Sequence, residues 1–246
     1  NNTIKFYCNY MNNQNIKASI ICCLYNEVDL IDSNLVNFIN KIKISKLNLE
    51  IIVIDNNSND GTRKKLKRLK QKRLFKNITY IFNNANLGKG GSLKNLFKIP
   101  VGKYCCVFDV DEYLVKDLFN GIRKITARNF DFLVGSRVHE RNKYIYKSNY
   151  YGVRFLTFLI NFFYNTTLTD SAGAIKIFDK KKYNQTFIKT SGFDFEFELI
   201  CKFAKKNFTI GEFYTSYTPR TFAEGKKLVA WKDGSKILAV ILKNIL

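Results

Sequence analysis

Short apolar runs alternate along the chain with segments whose apolar residues recur at helical spacing. The runs are rich in β-branched and apolar residues, as buried parallel strands are. Four of them are ASIICCL (18–24), LEIIVID (49–55), NITYIFN (77–83) and KYCCVFD (103–109). Amphipathic segments separate them, including residues 28–46 and a basic segment at 60–75. This β-α-β-α alternation predicts an α/β fold with one doubly wound, mostly parallel sheet flanked by helices.

The remaining patterning concerns the ends of the chain. A chain of 246 residues fits one large domain, which we expect at 17–246, behind a polar lead-in at 1–16. The longest apolar stretches, 155–164 and 237–246, are about half the ~18 to 20 residues that a membrane span needs. We therefore expect no transmembrane helix and a C-terminal amphipathic helical region. The lead-in lacks a signal-peptide core, and most cysteines sit in apolar runs, so we expect a reduced, cytoplasmic setting.

The net charge of +21 points to an anionic partner, such as nucleic acid, a phospholipid surface or phosphorylated substrates. A composition crowded with Asn, Lys and Ile is a competing explanation for part of the excess. A nucleic-acid-binding module is one alternative, motivated by the run KKLKRLKQKR at 64–73. That run lies on a predicted crossover helix, where a solvated face is the ordinary explanation, and no aromatic platform accompanies it. We therefore expect no nucleic-acid partner.

Polar clusters follow all four predicted strands. They are Tyr25-Asn26-Glu27, DNNSNDGT (55–62), NNANLGKGG (83–91) and DVDE (109–112). The carboxyl ends of parallel strands share one edge of a sheet, which is where open α/β sheets bind ligands. The clusters are therefore predicted to converge on one site.

The cluster DVDE has the sharpest chemistry. Carboxylates this close repel one another and raise one another's pKa unless a cation lies between them. Asp109 and Asp111, at positions i and i+2, offer hard oxygen ligands for Mg²⁺ or Mn²⁺, and such a cation neutralises charge on a departing phosphate. The alternative is an exposed acidic turn, which is hard to reconcile with three other ligand-type loops on the same edge.

Two further loops have both a binding and a structural interpretation. Asp55 suits hydrogen bonding to a base or ribose, while Asp60 suits capping of the following helix; the alternative is an Asx-turn with a helix cap. The Gly-rich segment NLGKGG (86–91) opens a helix and resembles a phosphate cradle, although a flexible turn explains it equally well.

The ordered set of motifs resembles family 2 glycosyltransferases of the GT-A fold. The resemblance covers about residues 17 to 240. Within the family, the motifs are similar to those of the branch that contains dolichyl-phosphate mannose synthase and polyprenyl-phosphate glycosyltransferases. Beyond the four clusters, it includes Gly135-Ser136-Arg137, LTDSAGAIKIF (168–178), GFDFEFEL (192–199) and YTPRTFAEGKKLVAWKDG (217–234). Single motifs are weak, but the ordered set is specific.

The resemblance implies roles for particular residues. The acidic pair Asp109 and Asp111 would meet ribose and metal, with Glu112 or Tyr113 completing the metal site. Arg220 is implied as catalytic, because Arg suits bidentate phosphate contact. The implied substrate-binding residues are Tyr25, Glu27, Asp55, Asn57, Lys89, Arg137, Asp194, Glu196, Lys226 and Lys227.

The implied reaction is metal-dependent, inverting transfer of mannose or glucose from a GDP- or UDP-hexose to a polyprenyl or dolichyl phosphate. It would occur at the cytoplasmic face of an anionic membrane, with residues 150–168 as an interfacial helix, although a core helix explains that apolar pattern equally well. A second possibility keeps the donor but takes a saccharide or protein hydroxyl acceptor, with Asp194 or Glu196 as base. These acidic residues also suit a helix N-terminus, so a structural role stays open.

Overall fold

The predicted sheet is present and has seven strands in the order β3-β2-β1-β4-β6-β5-β7. The computed structural model describes residues 17–74, 76–94, 99–111, 113–138, 142, 144–221 and 230–245, so the predicted lead-in at 1–16 lies outside the described residues. The strands are β1 (Ala18–Leu24), β2 (Leu49–Asp55), β3 (Ile78–Phe82), β4 (Tyr104–Val107), β5 (Phe132–Ser136), β6 (Lys176–Asp179) and β7 (Ile210–Tyr214). All neighbouring pairs are parallel except those of β6, which runs antiparallel to β4 and β5.

Helices connect the strands and cover both faces of the sheet. They are α1 (Val28–Leu30), α2 (Val36–Ile44), α3 (Thr62–Lys72), α4 (Gly88–Lys94), α5 (Val115–Arg128), α6 (Lys147–Tyr164), α7 (Lys180–Tyr183), α8 (Phe195–Lys205) and α9 (Ala230–Lys243). A π-helical turn, Ile31–Leu35, joins α1 to α2. The α/β class, the mostly parallel sheet and the C-terminal helical region are as predicted.

The hydrophobic core has two halves because strand side chains alternate between the faces of the sheet. In β2, Ile51 and Val53 pack on one side with residues of α2, α3 and α5. Ile52 and Ile54 pack on the other side with residues of α6, α8 and α9. All seven residues of β2 are buried, which explains why its sequence is a continuous apolar run rather than an alternating one.

Helices α3 and α6 differ in what their outer faces present. In α3, Leu66 and Leu69 are buried and the basic run faces outward, as a solvated helix face does. In α6, Leu156 and Ile160 are buried, yet large aromatic side chains remain exposed on the other side. Among the helices within the described ranges, none combines the length and the apolar character needed to cross a membrane.

Candidate active site

The carboxyl ends of β1, β2 and β4 open into a cavity of about 500 Å³. This volume is typical of small-molecule binding sites. Each of the four polar clusters contributes to the lining. The contributing residues are Tyr25 and Glu27 after β1, Asn56 after β2, Asn86, Gly88 and Lys89 after β3, and Asp109 and Asp111 after β4. The strand ends therefore meet around one cavity, as their parallel pairing requires.

Hydrogen bonds tie the loop after β1 to the loop after β2. The backbone N–H of Asn26 donates to Ser58 Oγ at 3.0 Å, and the backbone N–H of Glu27 donates to Thr62 Oγ1 at 2.9 Å. Asp60 Oδ1 accepts from the backbone N–H of Thr62, the first residue of α3, at 2.9 Å. Short polar side chains of the segment after β2 supply the acceptors in these contacts, and they hold the loop after β1 at the edge of the cavity.

Asp55, the predicted base-recognition residue, has no exposed surface and is not among the described residues that line the cavity. Its carboxylate accepts from Arg63 Nε at 2.5 Å and from the backbone N–H of Ser58 at 3.1 Å. Strand alternation directs Asp55 toward α3 and its neighbour Asn56 toward the opposite side. Alternation in the sequence predicts that Asp55 and Asn56 point to opposite sides of the sheet, but it does not say on which side the cavity lies.

Asn56 is nearly buried and its amide is held by neighbouring polar groups. Its Oδ1 accepts from Asn83 Nδ2 at 3.1 Å, Ser92 Oγ at 2.9 Å and the backbone N–H of Leu87 at 3.0 Å. Its Nδ2 donates to Asn86 Oδ1 at 2.8 Å. The loops after β2 and β3 are thus joined by hydrogen bonds into one polar wall of the cavity.

Besides Asp55, two predicted binding residues are described but are not among those that line the cavity. Asn57 is exposed and has a φ of 64°, a conformation that Asn tolerates better than most residues. Asp194 precedes α8 and accepts from the backbone N–H of Gly192 at 3.0 Å. Both positions have a local structural explanation, and a substrate contact at either one stays a prediction.

The acidic pair, Asp109 and Asp111, lies in the cavity, with 24% and 16% of the two side chains exposed. Each carboxylate has a cationic partner from elsewhere in the chain. Lys89 Nζ is 2.8 Å from Asp109 Oδ2, and Arg220 Nη1 donates to Asp111 Oδ2. Burial raises the pKa of Asp109, an effect that Lys89 opposes. The predicted carboxylates and two of the predicted basic residues therefore meet in one place.

Lys89 is shared between Asp109 and a second carboxylate, Glu196, whose Oε1 lies 2.7 Å from Lys89 Nζ. Glu196 Oε2 lies 2.9 Å from Nζ of Lys176, a fully buried residue of β6. Burial alone would raise the pKa of Glu196, but the two lysines hold it below its usual range. Burial alone would lower the pKa of Lys89, but the two carboxylates hold it well above its usual value. Charges thus alternate in sign from the core to the cavity.

Gly90 explains how α4 brings Lys89 to Glu196. A Cβ at Gly90 would lie 2.5 Å from the Cβ of Phe195, the first residue of α8, so a larger residue would force the two helices apart. The Gly-rich segment, which resembles either a phosphate cradle or a flexible turn in the sequence, therefore permits a close helix contact. Gly88 and Lys89 remain in the cavity wall, and their contact with a phosphate stays a prediction.

Arg137 follows β5 and lines the cavity in a fixed orientation. Its Nε and Nη2 donate to the two carboxylate oxygens of Asp170 at 2.7 and 3.0 Å, which is a bidentate pair. The guanidinium lies 5.1 Å from the ring centroid of Tyr217. Burial alone would lower the pKa of Arg137, but Asp170 holds it well above its usual value. Sequence reasoning assigned no role to Asp170, since the two residues lie 33 positions apart.

Three predicted residues, Glu112, Lys226 and Lys227, lie outside the described residues. Arg220, which precedes the two lysines in the chain, is described and has 18% of its side chain exposed. Besides its contact with the acidic pair, its Nη2 lies 3.2 Å from Glu27 Oε2. Arg220 therefore links the C-terminal loop to the loop after β1 across the cavity.

The same cavity has an apolar part between α6, α8 and α9, which we call the apolar arm. It is formed by Val153, Leu156, Phe193, Phe197 and Ile237. Three of these side chains, Leu156, Phe197 and Ile237, are buried and also belong to the hydrophobic core. Such walls favour a hydrocarbon group over a charged or hydrated one.

Helix α6 also carries an exposed aromatic face, formed by Tyr151, Phe155, Phe158 and Phe162. These side chains are 67%, 56%, 60% and 71% exposed. Steps of four, three and four residues place them along one side of the helix. A continuous exposed apolar surface of this kind marks an interaction site. Helix α6 therefore lines the apolar arm with one side and presents the aromatic face with another.

The acidic pair fits a divalent cation by its chemistry. Two hard carboxylates at a cavity wall are ligands that Mg²⁺ and Mn²⁺ take, and Mg²⁺ usually completes its shell with water and substrate phosphate. Within the described parts of the chain, no group of three or more His, Cys, Asp or Glu side chains is arranged to hold a metal. A cation bound here would take Asp109 and Asp111 as protein ligands, together with any contribution from Glu112.

Comparison with known sequences identifies relatives of the chain. A family model described as glycosyl transferase family 2 matches residues 19–187. A dolichyl-phosphate beta-glucosyltransferase from Dictyostelium discoideum is 27% identical over 229 residues, which cover 87% of this chain and 69% of that protein. A glycosyltransferase from Methanocaldococcus jannaschii is 29% identical over 154 residues, which cover 59% of this chain and 51% of that protein. The family resemblance expected from the motifs is confirmed.

Solved structures share the fold at low sequence identity. Glucosyl-3-phosphoglycerate synthase from Mycobacterium tuberculosis, in complex with Mn²⁺, uridine-diphosphate and phosphoglyceric acid, matches with a TM-score of 0.64 at 13% identity, covering 93% of this chain and 78% of that one. S. aureus TarS, in complex with UDP-GlcNAc, matches with a TM-score of 0.61 at 18% identity, covering 93% of this chain and 66% of that one. These likenesses confirm the expected GT-A fold.

Proposed function

Because the chain belongs to glycosyl transferase family 2, we propose that it transfers one hexose, with inversion, from a nucleotide-diphosphate sugar to an isoprenoid phosphate. The proposed donor is GDP- or UDP-linked mannose or glucose, and the proposed acceptor is a polyprenyl or dolichyl phosphate at the cytoplasmic face of a membrane. The observation that carries this proposal is that one cavity combines the acidic pair with the apolar arm. A donor diphosphate suits the first part, and a hydrocarbon chain suits the second.

The polar wall of the cavity supports the donor assignment. Where β1 and β2 end, Tyr25 offers an aromatic ring and Asn56 offers the second N–H of its Nδ2, whose other N–H donates to Asn86; both groups suit a nucleobase. Asp55 would act on the base indirectly, through its hold on the backbone of Ser58. The two solved relatives named above carry uridine nucleotides, which makes UDP the first donor to test.

The state of the candidate bases supports a phosphate acceptor. A hydroxyl acceptor needs a group that removes its proton, whereas a phosphate is already ionised. Glu196 is a poor base, because Lys89 and Lys176 hold its pKa below the usual range. Asp194 is not among the described residues of the cavity wall. The arrangement thus favours an ionised acceptor over a saccharide or protein hydroxyl. The curated relative from Dictyostelium discoideum, named for a dolichyl-phosphate acceptor, supports the same choice.

In the proposed reaction, a phosphate oxygen of the acceptor attacks the anomeric carbon. The bond from that carbon to the donor diphosphate breaks, and its electron pair leaves with the diphosphate. Lys89 and Arg220 stabilise the negative charge that develops there, because fixed cations in a partly buried site need little reorganisation. A divalent cation on the acidic pair supplies further charge neutralisation when bound. Arg137, held by Asp170, would orient the acceptor phosphate.

The aromatic face supports peripheral attachment to a membrane. Aromatic side chains insert into the lipid interface, and exposed cations add about 1 kcal/mol each at an anionic surface. Lys147 and Arg154, both exposed, lie on the same helix. An isoprenoid chain could then pass from the bilayer into the apolar arm along α6.

A transfer assay with matched acceptors tests the proposal. Purified protein would be given UDP-glucose or GDP-mannose with Mn²⁺ and one of three acceptors: a short isoprenyl phosphate, a simple saccharide or phosphoglyceric acid. We expect product with isoprenyl phosphate alone. Product with the saccharide or with phosphoglyceric acid instead would contradict the acceptor assignment. Failure of both UDP and GDP to raise the melting temperature with Mn²⁺ would contradict the donor assignment.

A further inference from the structure

Each carboxylate of the acidic pair has its own cationic partner, and the two ion pairs are built in the same way. In each case a cation bridges one carboxylate of the pair and one glutamate that lies elsewhere in the cavity wall. The two sets are Lys89 with Asp109 and Glu196, and Arg220 with Asp111 and Glu27. Each cation therefore has a second partner that is independent of the acidic pair.

Among the described residues that form these ion pairs, the charges nearly cancel. Four of their carboxylates face three of their cations, which leaves one negative charge within this described set. These groups are Glu27, Asp109, Asp111 and Glu196, against Lys89, Lys176 and Arg220. A divalent cation that arrives alone finds one oxygen of each aspartate already engaged and two cations close by, which repel it. A diphosphate that arrives alone finds cations that are already paired.

We propose that Lys89 and Arg220 are internal counterions that compete with the divalent cation for the acidic pair and thereby couple its binding to that of the donor. This inference rests on the proposed function for the identity of the donor. When donor and divalent cation bind together, the diphosphate would pair with Lys89 and Arg220, and the two aspartates would bind the divalent cation instead. Metal and donor then strengthen each other's binding by the same factor, as linkage requires.

Glu27 and Glu196 act as positioning residues in this scheme. When the metal holds Asp111, Arg220 keeps its contact with Glu27, whose carboxylate lies 3.2 Å away. When the metal holds Asp109, Lys89 keeps its contact with Glu196, which Lys176 fixes from the core. Neither cation is left buried without a partner, so the exchange avoids the cost of an unpaired buried charge.

Binding of Mn²⁺ alone, measured by calorimetry without any nucleotide, tests the competition directly. Arg220→Met should bind Mn²⁺ about five- to tenfold more tightly than wild type while its turnover falls. Lys89→Met should behave in the same way if it folds. Arg220 lies on a loop with a partly exposed side chain, so its variant supplies the decisive measurement. Equal or weaker Mn²⁺ affinity in folded Arg220→Met would overturn the inference.

One control variant removes an exposed positive charge that belongs to none of these ion pairs. Arg123 is exposed on α5. Arg123→Met should leave Mn²⁺ affinity within about twofold of wild type, because an exposed charge is screened. A gain equal to that of Arg220→Met would mean that net charge, rather than local competition, sets the affinity.

A double-mutant cycle separates positioning by Glu27 from its simple charge. Glu27→Gln should weaken Mn²⁺ binding in the wild-type background and have little effect in the Arg220→Met background. Additive effects would contradict the positioning role.

The coupling between metal and donor is tested by adding UDP or GDP. Either nucleotide should tighten Mn²⁺ binding at least tenfold in wild type and less in Arg220→Met. If Mn²⁺ behaves as expected but neither nucleotide binds, the donor assignment fails while the competition stands.

Discussion

The cavity has two regions that are built by different means. One is the apolar arm, and the other is the charged floor, formed by the acidic pair with Lys89, Glu196, Arg220 and Glu27. At the floor, side chains from distant parts of the chain meet in ion pairs, including Lys89–Asp109 at 2.8 Å and Lys89–Glu196 at 2.7 Å. The arm is a gap between three packed helices and depends on shape and apolar surface alone. Ion pairs need exact partners, whereas an apolar wall tolerates many sequences. We therefore expect the charged floor to carry the chemical step and the apolar arm to determine which acceptor binds.

This contrast predicts different consequences of substitution. Changes at the floor should alter the rate of transfer or the stability of the protein, because they leave charges without partners. Changes along α6 should alter the affinity for acceptor or membrane and leave the chemistry intact.

The largest effect is expected for Asp111→Asn. It removes one anionic ligand from the acidic pair, so turnover should fall about 10³-fold, the range seen when a main electrostatic contact in an active site is lost. Transfer from the donor at saturating Mn²⁺, with unfolding in urea as a check on the fold, measures this. Asp29→Asn, at an exposed position on α1, is the matched control and should retain full turnover. Wild-type turnover in Asp111→Asn would remove the metal assignment.

Glu196→Gln should lower the free energy of unfolding by about 3 kcal/mol near neutral pH, because Lys176 and Lys89 lose a buried anionic partner. The folded-state pKa of Glu196 is lowered from 4.5, so its contribution is present above pH 4.5 and is lost as the pH falls further. Urea unfolding at several pH values should show the difference between wild type and variant shrinking below pH 4.5. Asp194→Asn, just before α8, should show a much smaller change, and equal losses would contradict the ranking.

The double substitution Phe158→Ser and Phe162→Ser should weaken binding to anionic vesicles about 30-fold, since two exposed rings lose their apolar contact with lipid. Turnover with a short, water-soluble isoprenyl phosphate should not change. Ile44→Ser is the control, because Ile44 is 81% exposed at the end of α2, a helix that packs on the other face of the sheet. Unchanged vesicle binding in the double variant would show that the aromatic face has a different partner.

The smallest effect is expected for Val153→Asn in the apolar arm. A polar side chain there should raise the KM for isoprenyl phosphates about fivefold without changing kcat, because the lost contact stabilises substrate and transition state equally. Steady-state kinetics with acceptors of increasing chain length measures this. A fivefold fall in kcat would instead show that the apolar arm contributes to the chemical step, and it would contradict the expected difference between the arm and the charged floor.

Much of the fold was predictable from the sequence because its signals are local. The runs at 18–24 and 49–55 coincide with β1 and β2, since buried parallel strands require continuous apolar sequences. The convergence of the polar clusters followed from the topology rule for strand ends. The partners within the site were less accessible. Arg220 and Glu27 lie 193 positions apart, and no local sequence pattern around either residue predicts that they form an ion pair.

The residue alternation at the end of β2 shows where sequence reasoning reached its limit. Asp55 has the more reactive side chain and was chosen for the cavity, yet its neighbour Asn56 lines it while Asp55 pairs with Arg63. Which of two adjacent side chains faces a ligand depends on which side of the sheet each helix covers. That is a property of the packed chain.

The sequence by itself determined the class of fold, the family and the edge of the sheet where the polar groups gather, because these follow from local periodicity and from the order of motifs. Tertiary structure decided which charges neutralise one another, which residue faces the cavity and which side of α6 remains exposed. The physical reason is range: hydrophobic patterning acts between near neighbours in the chain, whereas ion pairing and burial depend on distances that only the folded chain sets.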